Sequence, residues 1–424
     1  MIQRRELKIG GGGLFLALVF FCFAPNIARA AQNSIKASIT VAEEYNDNIY
    51  ESSTDRQADF ITHMSPGLRF EHLAPFWDWS LSYRFNYDHY ARTKANYTYH
   101  YLNLNGKIRV IPNFLFIDIN DSYSRVPLYS TPDMSWQSSY NNQTNRNIFS
   151  INPYVLLRPT STDRVKVGYT FRDIYYSNSA DIGLKEHEFA IAENHELTPK
   201  TSALANLSYT LVQTNDNLSY RRCTAAVGMQ SEYADQSYLR LLGGYTWWSF
   251  NNGQNRLSPY WDARINKVFG TMNATLYATV TYDTDYQFNS SEQRVIGARL
   301  DKAIHRGSLS GSVAYVSSTD NLTGNVPATS SKYIQLTAQA HYELTPLTNA
   351  DFALTGAHYQ QGNGYYGNNP LWLQFSAGIS HQLPYNMMAG LQYIFTTYRG
   401  GADAINVNRV FVSLSYNFFA AAGG

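Results

Sequence analysis

An all-β fold, a single transmembrane antiparallel up-and-down β-barrel of about twenty strands, is predicted by three features of this sequence. The first is strict alternation: from Met272 to Gln287, Met272, Ala274, Leu276, Ala278, Val280, Tyr282, Thr284 and Tyr286 take the even positions, and polar or hydroxylated residues take the odd ones. Successive strand side chains point to opposite faces, so this segment has one face for lipid and one for water. The second is the rhythm of the connections, which switch between tight, proline-marked turns and longer Asn/Ser/Gly-rich loops. The third is composition. The 424 residues include 34 Tyr and 22 Phe but only 15% charged side chains, and mean hydropathy is negative, which suits neither a compact soluble core nor helical membrane spans.

The chain opens with what reads as a secretory signal peptide, residues 1–30. Arg4, Arg5 and Lys8 precede a short apolar run, Leu14 to Ala24, and Ala28-Arg29-Ala30 supplies small residues for cleavage near Ala30. Beyond it no stretch reaches the roughly 18 apolar residues of a membrane-spanning helix. Cys22 lies in this leader and leaves Cys223 alone, so an internal disulfide is excluded from the mature chain. Removing the leader takes four basic residues and one acidic residue from totals of 33 and 32, leaving a small negative balance. No basic field argues for nucleic acid.

The barrel is expected over residues 31–419. Ile35, Ala37, Ile39 and Val41 alternate with polar partners. Trp77, Trp79, Leu81, Tyr83, Phe85 and Tyr87 then form an unbroken apolar row. Similar rows recur through Leu102–Val110, Val165–Phe171, Ala203–Leu211, Leu336–Leu344 and Leu373–Ile379. Proline cannot donate to a ladder, and it marks turns at Pro112, Pro159, Pro199, Pro346 and Pro384. Glu196-Leu197-Thr198-Pro199 and Glu343-Leu344-Thr345-Pro346 echo each other at equivalent hairpin ends. Alternation is weakest at Cys223–Met229 and Val295–Leu300, so counts of eighteen and twenty-two stay open. Short turns are expected on the periplasmic side and longer loops outside. The last strand ends near Phe419, and residues 420–424 read as a short tail.

No catalytic, cofactor or metal constellation stands out, and the chain is not expected to be an enzyme. Gly362, Gly364 and Gly367 match a dinucleotide fingerprint, but no helix follows. His195-Glu196 lacks the second histidine of a zinc motif. Asn46-Asp47-Asn48 offers oxygens without a complete calcium loop, and a surface turn is the expectation.

The inward register is the candidate site. It carries Arg84, Lys107, Arg109, Asp118, Lys166, Arg172, Glu188, Asp283, Asp285, Arg299 and Asp301, a mixed wall suited to polar, weakly charged solutes. Tyr99, Tyr101, Tyr154, Tyr277, Tyr333 and Trp372 share that register, where aromatic faces either stack on sugar rings or merely narrow the barrel.

Glu44-Tyr45-Asn46-Asp47-Asn48-Ile49-Tyr50, Asp59-Phe60-Ile61-Thr62 and Ser65-Pro66-Gly67-Leu68 resemble the opening of outer-membrane β-barrel porins associated with bacterial exopolysaccharide export. The resemblance implies a Gram-negative outer-membrane location and passage of polysaccharide, with periplasmic export proteins as partners beside outer-membrane lipid and the barrel-assembly machinery. A general or sugar-selective diffusion porin is the alternative, and a scaffold barrel enclosing a partner protein the second. The C-terminal row Val410, Val412, Leu414, Tyr416 and Phe418 resembles an outer-membrane targeting strand.

Overall fold

The computed structural model describes residues 32–127, 143–177, 183–214, 219–283, 291–320, 329–361, 370–400 and 404–422. The leader expected at 1–30 lies outside the described residues, as do Asp285 and the glycines at 362, 364 and 367.

Twenty strands form one closed antiparallel sheet. The first five are β1 (Gln32–Asn46), β2 (Asp59–Leu73), β3 (Trp77–Tyr90), β4 (Asn96–Ile111) and β5 (Leu115–Pro127). Then follow β6 (Gln143–Leu157), β7 (Asp163–Tyr176), β8 (Leu184–Thr198), β9 (Thr201–Thr214) and β10 (Tyr220–Ala234). The second half comprises β11 (Ser237–Phe250), β12 (Asn255–Phe269), β13 (Met272–Asp283), β14 (Ser291–Ile304) and β15 (Gly307–Asp320). It ends with β16 (Thr329–Thr345), β17 (Thr348–Gln361), β18 (Leu371–Leu383), β19 (Met387–Arg399) and β20 (Ala404–Ala422). Each strand pairs with its sequence neighbours, and β1 pairs with β20 from Asn46↔Arg409 to Asn33↔Ala422, which closes the barrel. Closure satisfies the edge donors and acceptors that hydrocarbon cannot. Ala420, Ala421 and Ala422, set apart as a tail by the sequence, continue this ladder.

One end carries tight turns, such as Pro199-Lys200 between β8 and β9, or Gly270-Thr271 between β12 and β13, where Gly270 takes a φ of 58°. The other end carries the long connections. Strands of 15 residues at roughly 3.4 Å each reach about 50 Å, more than a bilayer core requires. The apolar rows face outward: Leu276 is 57% exposed, and Leu207, Leu257, Ile296 and Val412 behave alike. Large aromatics collect at both rims, with Phe60, Tyr175 and Trp247 at the long-loop end and Phe114, Phe269 and Tyr385 at the short-turn end. Tyr175, Trp247 and Tyr385 among them carry a polar group on an apolar ring, the kind of side chain that lipid-water boundaries select.

Among the described residues, Pro66, Pro153 and Pro259 sit in strand interiors rather than at turns. The β2–β3 ladder skips from Met64↔Tyr87 to Gly67↔Arg84 around Pro66, and the β6–β7 ladder skips from Ile151↔Phe171 to Tyr154↔Gly168 beside Pro153. A missing N–H costs one ladder bond there and the sheet absorbs it locally. Pro259 marks a larger departure, described next.

Candidate functional site

The inner wall is built by the residues opposite each outward apolar row. Arg84, Tyr99, Tyr101, Lys107, Arg109, Asp118, Tyr154, Lys166, Arg172, Glu188, Tyr277, Arg299, Asp301, Tyr333 and Trp372 all occupy that register. The side chain of Asp283 lies outside the described residues. Most of the charged members are paired. Arg172 lies 3.0 Å from Glu186, Lys107 lies 3.9 Å from Asp118, and Arg299 lies 2.7 Å from Asp301 two residues along its own strand. Arg109 pairs with Asp78, and Glu188 accepts a hydrogen bond from Thr210 at 3.3 Å. Pairing of this kind keeps charges on a polar wall without a large net field.

The aromatic members fall into separate places. Tyr154 is buried and stacks on Phe116 at 5.2 Å, with the Lys166 ammonium 4.1 Å from its ring centre. Tyr333 and Trp372 belong to an apolar patch with Ala314, Val316 and Ala357, against which Tyr277, Tyr359 and Tyr398 pack. Tyr333 lies 4.8 Å from Tyr359. Tyr277 lies over Gly297, whose missing Cβ leaves room for the ring.

The wall is not a uniform ring, because two ladders stop short of the long-loop end. β12 and β13 pair from Phe269↔Met272 only to Asp262↔Thr279, while β13–β14 continues to Asp283↔Ser291 and β11–β12 to Ser249↔Asn255. Pro259, in the stretch β13 abandons, has no N–H to offer. Freed from β12, the upper part of β13–β14 leans into the barrel, and its outer face lies on the inner wall of β10–β12. The Tyr282 hydroxyl donates to Thr246 Oγ1 at 2.7 Å, two strands away, and its ring meets Trp248 edge-on at 5.1 Å. The Arg222 guanidinium on β10 lies 5.1 Å from the same ring. Val280 is only 3% exposed, and Glu292, 1% exposed, is held by Arg256 at 3.4 Å and Arg294 at 2.7 Å.

This corrects one expectation. The even face of the Met272–Gln287 segment meets lipid as far as Ala278, but Val280 and Tyr282 face the inner wall. The same displacement explains an apolar cluster inside the barrel at residues that the expected polar and aromatic wall did not include. Val212, Tyr220, Trp248 and Phe250 are buried with Ile174, Tyr176 and Leu184, and Tyr282 packs on them. A strand end folded onto a wall removes water from both surfaces, so apolar side chains there are stabilising. A signal existed in Tyr245-Thr246-Trp247-Trp248-Ser249-Phe250, where large apolar groups occupy both parities.

β5 behaves similarly. Its ladder to β4 ends at Leu102↔Tyr123, whereas β5–β6 continues to Pro127↔Gln143. Arg125, outward by alternation, consequently lies over the inward ring of Tyr99, 3.8 Å from its centre.

A further inner cluster was missed in the sequence: His63 bridges Glu44 and Asp88 at 2.8 Å each, and Arg409 lies 3.5 Å from Glu44. These residues come from β1, β2, β3 and β20, and closure of the sheet adds Arg409 to the other three. The Asn46-Asp47-Asn48 turn lies just above. Asn48 is fully buried and donates to the carbonyls of Ser52 and Asn406, at 2.8 and 3.3 Å, so the motif is a structural clasp.

No protein-family model matches the chain, and no curated protein matches it in sequence. Similar solved structures include the FrpB iron transporter from Neisseria meningitidis, with TM-score 0.51 and 8% identity over 91% of this chain and 81% of that one. The siderophore receptor PirA from Pseudomonas aeruginosa gives 0.49 and 10% identity, covering 91% of this chain and 80% of its own. OpdK with vanillate, from Pseudomonas aeruginosa, gives 0.44 and 9% identity, covering 91% and 99%. The likeness is one of fold, and with the closed twenty-stranded sheet it gives the chain the architecture of an outer-membrane β-barrel.

Proposed function

We infer that the chain is a diffusion channel for small polar solutes in the outer membrane of a Gram-negative bacterium. The observation that carries this reading is the upper part of strands β13 and β14 folded against the inner wall, inside an outward apolar belt. Strand ends held inside by Tyr282, Glu292 and Val280 narrow the path and place ion pairs beside it, so solutes are sieved by size and charge. The test is liposome swelling with the purified, refolded barrel: uptake should fall steeply from monosaccharides to trisaccharides. Vesicles as tight as protein-free controls would overturn the reading.

Passage of an exopolysaccharide is the second reading, favoured by the half-buried rings of Tyr277 and Tyr359 at the edge of the inner aromatic patch, since aromatic faces suit sugar rings. Deleting the gene should then strip polymer from the cell surface while its synthesis continues. Unchanged surface polymer would remove this reading and leave the first intact.

A further inference from the structure

Around Glu292 and Asp262 every arginine has a carboxylate within ion-pair distance, one carboxylate serving two arginines in each place. Arg84 and Arg125 differ. Among the described residues neither has a carboxylate within ion-pair distance, and each lies over a tyrosine ring of β4 instead. The Arg84 guanidinium is 4.7 Å from the centre of Tyr101, and that of Arg125 is 3.8 Å from the centre of Tyr99. Tyr99 and Tyr101 are two residues apart on one face of one strand, so both guanidiniums share a single patch of wall. Tyr97 extends that patch, parallel to Tyr99 at 6.3 Å.

The acidic side chains Glu44 and Asp88, at the long-loop ends of β1 and β3, are already engaged. Asp88 is bound by His63, and Glu44 by His63 and Arg409. A guanidinium set over a ring is attracted through its charge and keeps N–H groups that form a fork fitting a carboxylate. Arg84 is exposed and Arg125 half-buried, so a solute can reach both. Arg125 is present at all only because β5 leaves the β4 ladder after Tyr123.

We propose that Arg84 and Arg125, set on the tyrosines of β4, form an anion-binding subsite of the pore that takes small organic carboxylates. The proposal rests on the channel reading and names its substrate class. It departs from the expectation of a weakly charged solute, because two uncompensated cations attract anions and repel cations.

The test uses the full barrel in planar bilayers under a potassium chloride gradient, then with succinate, inorganic phosphate or glucose added. Wild type should favour anions, and succinate should interrupt the current at concentrations where glucose does not. The double variant Arg84→Gln/Arg125→Gln should lower the anion-to-cation permeability ratio by about threefold or more and abolish the succinate interruptions. The Arg84→Lys/Arg125→Lys variant should keep the permeability ratio but weaken the interruptions, since an ammonium keeps the charge without the fork. Phosphate acting as strongly as succinate in wild type would overturn the carboxylate assignment. A cation-selective wild type would overturn the subsite even if neither variant folds. Absence of any conductance in wild type would instead defeat the channel reading.

Discussion

Asp47 holds Asn408 across the seam where the first strand meets the last: its two carboxylate oxygens accept from the Asn408 N–H and side-chain amide, each at 2.7 Å. The Asp47 N–H returns a bond to the Asn408 carbonyl at 3.1 Å. These residues are 361 positions apart, and their contact exists only once the sheet has closed. Asp47→Ala removes two acceptors, and a cost of about 1–3 kcal/mol is expected. Asn408→Ala removes one side-chain donor and should cost less. Urea unfolding in lipid vesicles, read by tryptophan fluorescence, should place both below wild type. A double variant less destabilised than the sum of the two would establish the coupling. Independent, additive effects would show that the clasp does not hold the seam.

Asp59 makes a second clasp nearby. It has no exposed surface, and its carboxylate accepts from the N–H groups of Phe60, Arg92 and Thr93 and from the Thr93 hydroxyl. It thereby orders the connection between β3 and β4 from the start of β2. Asp59→Ala orphans these donors and is expected to cost about 1–3 kcal/mol, whereas Asp59→Asn keeps one acceptor oxygen and should cost less. The check is limited proteolysis of intact barrels: cleavage near Arg92 should be fastest in the alanine variant. Equal cleavage of all three proteins would refute the assignment.

Glycines in β10 and β11 set a limit on strand approach. A Cβ at Gly228 would lie 1.8 Å from the Leu241 carbonyl oxygen, and one at Gly244 would lie 1.9 Å from that of Ala225. Both obstacles are backbone, so nothing flexible can yield. Gly228→Ala should destabilise by about 1–3 kcal/mol and slow assembly. Gly311→Ala, where the nearest atom is the Thr337 carbonyl at 3.7 Å, should stay within about 0.5 kcal/mol of wild type. Heat-modified migration on gels separates folded from unfolded barrel and gives both results directly.

What was legible in the sequence follows from the range of the interactions involved. Alternation is a property of neighbouring residues, so rows such as Trp77–Tyr87 place strands, faces and the count of twenty correctly. The paired charges Lys107 and Asp118 were visible as inward residues because register follows from the intervening turn. The His63–Glu44–Arg409 cluster was not, since it depends on how β20 slides against β1. Tyr282 was assigned to lipid by parity, and parity, which would turn Arg125 outward as well, fails once a strand leaves its neighbour and turns its outer face onto the wall. The resemblance of the Glu44–Tyr50 segment also gains a physical content. Glu44, Asp47 and Asn48 each bind β20, through Arg409, Asn408 and Asn406.

The Tyr282–Thr246 bond predicts how the path through the barrel responds to mutation. Tyr282 is the outermost described side chain of the inward-leaning part of β13, and it engages Trp248, Thr246 and Arg222 at once. Tyr282→Phe loses one hydrogen bond, about 0.5–1.5 kcal/mol, and keeps the ring contacts, so conductance should be close to wild type with more frequent brief openings. Tyr282→Ala also loses the ring, about 3–5 kcal/mol for a buried aromatic and less for this partly buried one. With its anchor gone the upper part of β13–β14 is held chiefly by Glu292 through Arg256 on β12, and single-channel conductance should rise. The combination Tyr282→Ala/Glu292→Gln should raise it further and admit a trisaccharide in the swelling assay. If conductance falls or stays fixed across this series while the barrels remain folded, the upper part of β13–β14 is not what narrows the path.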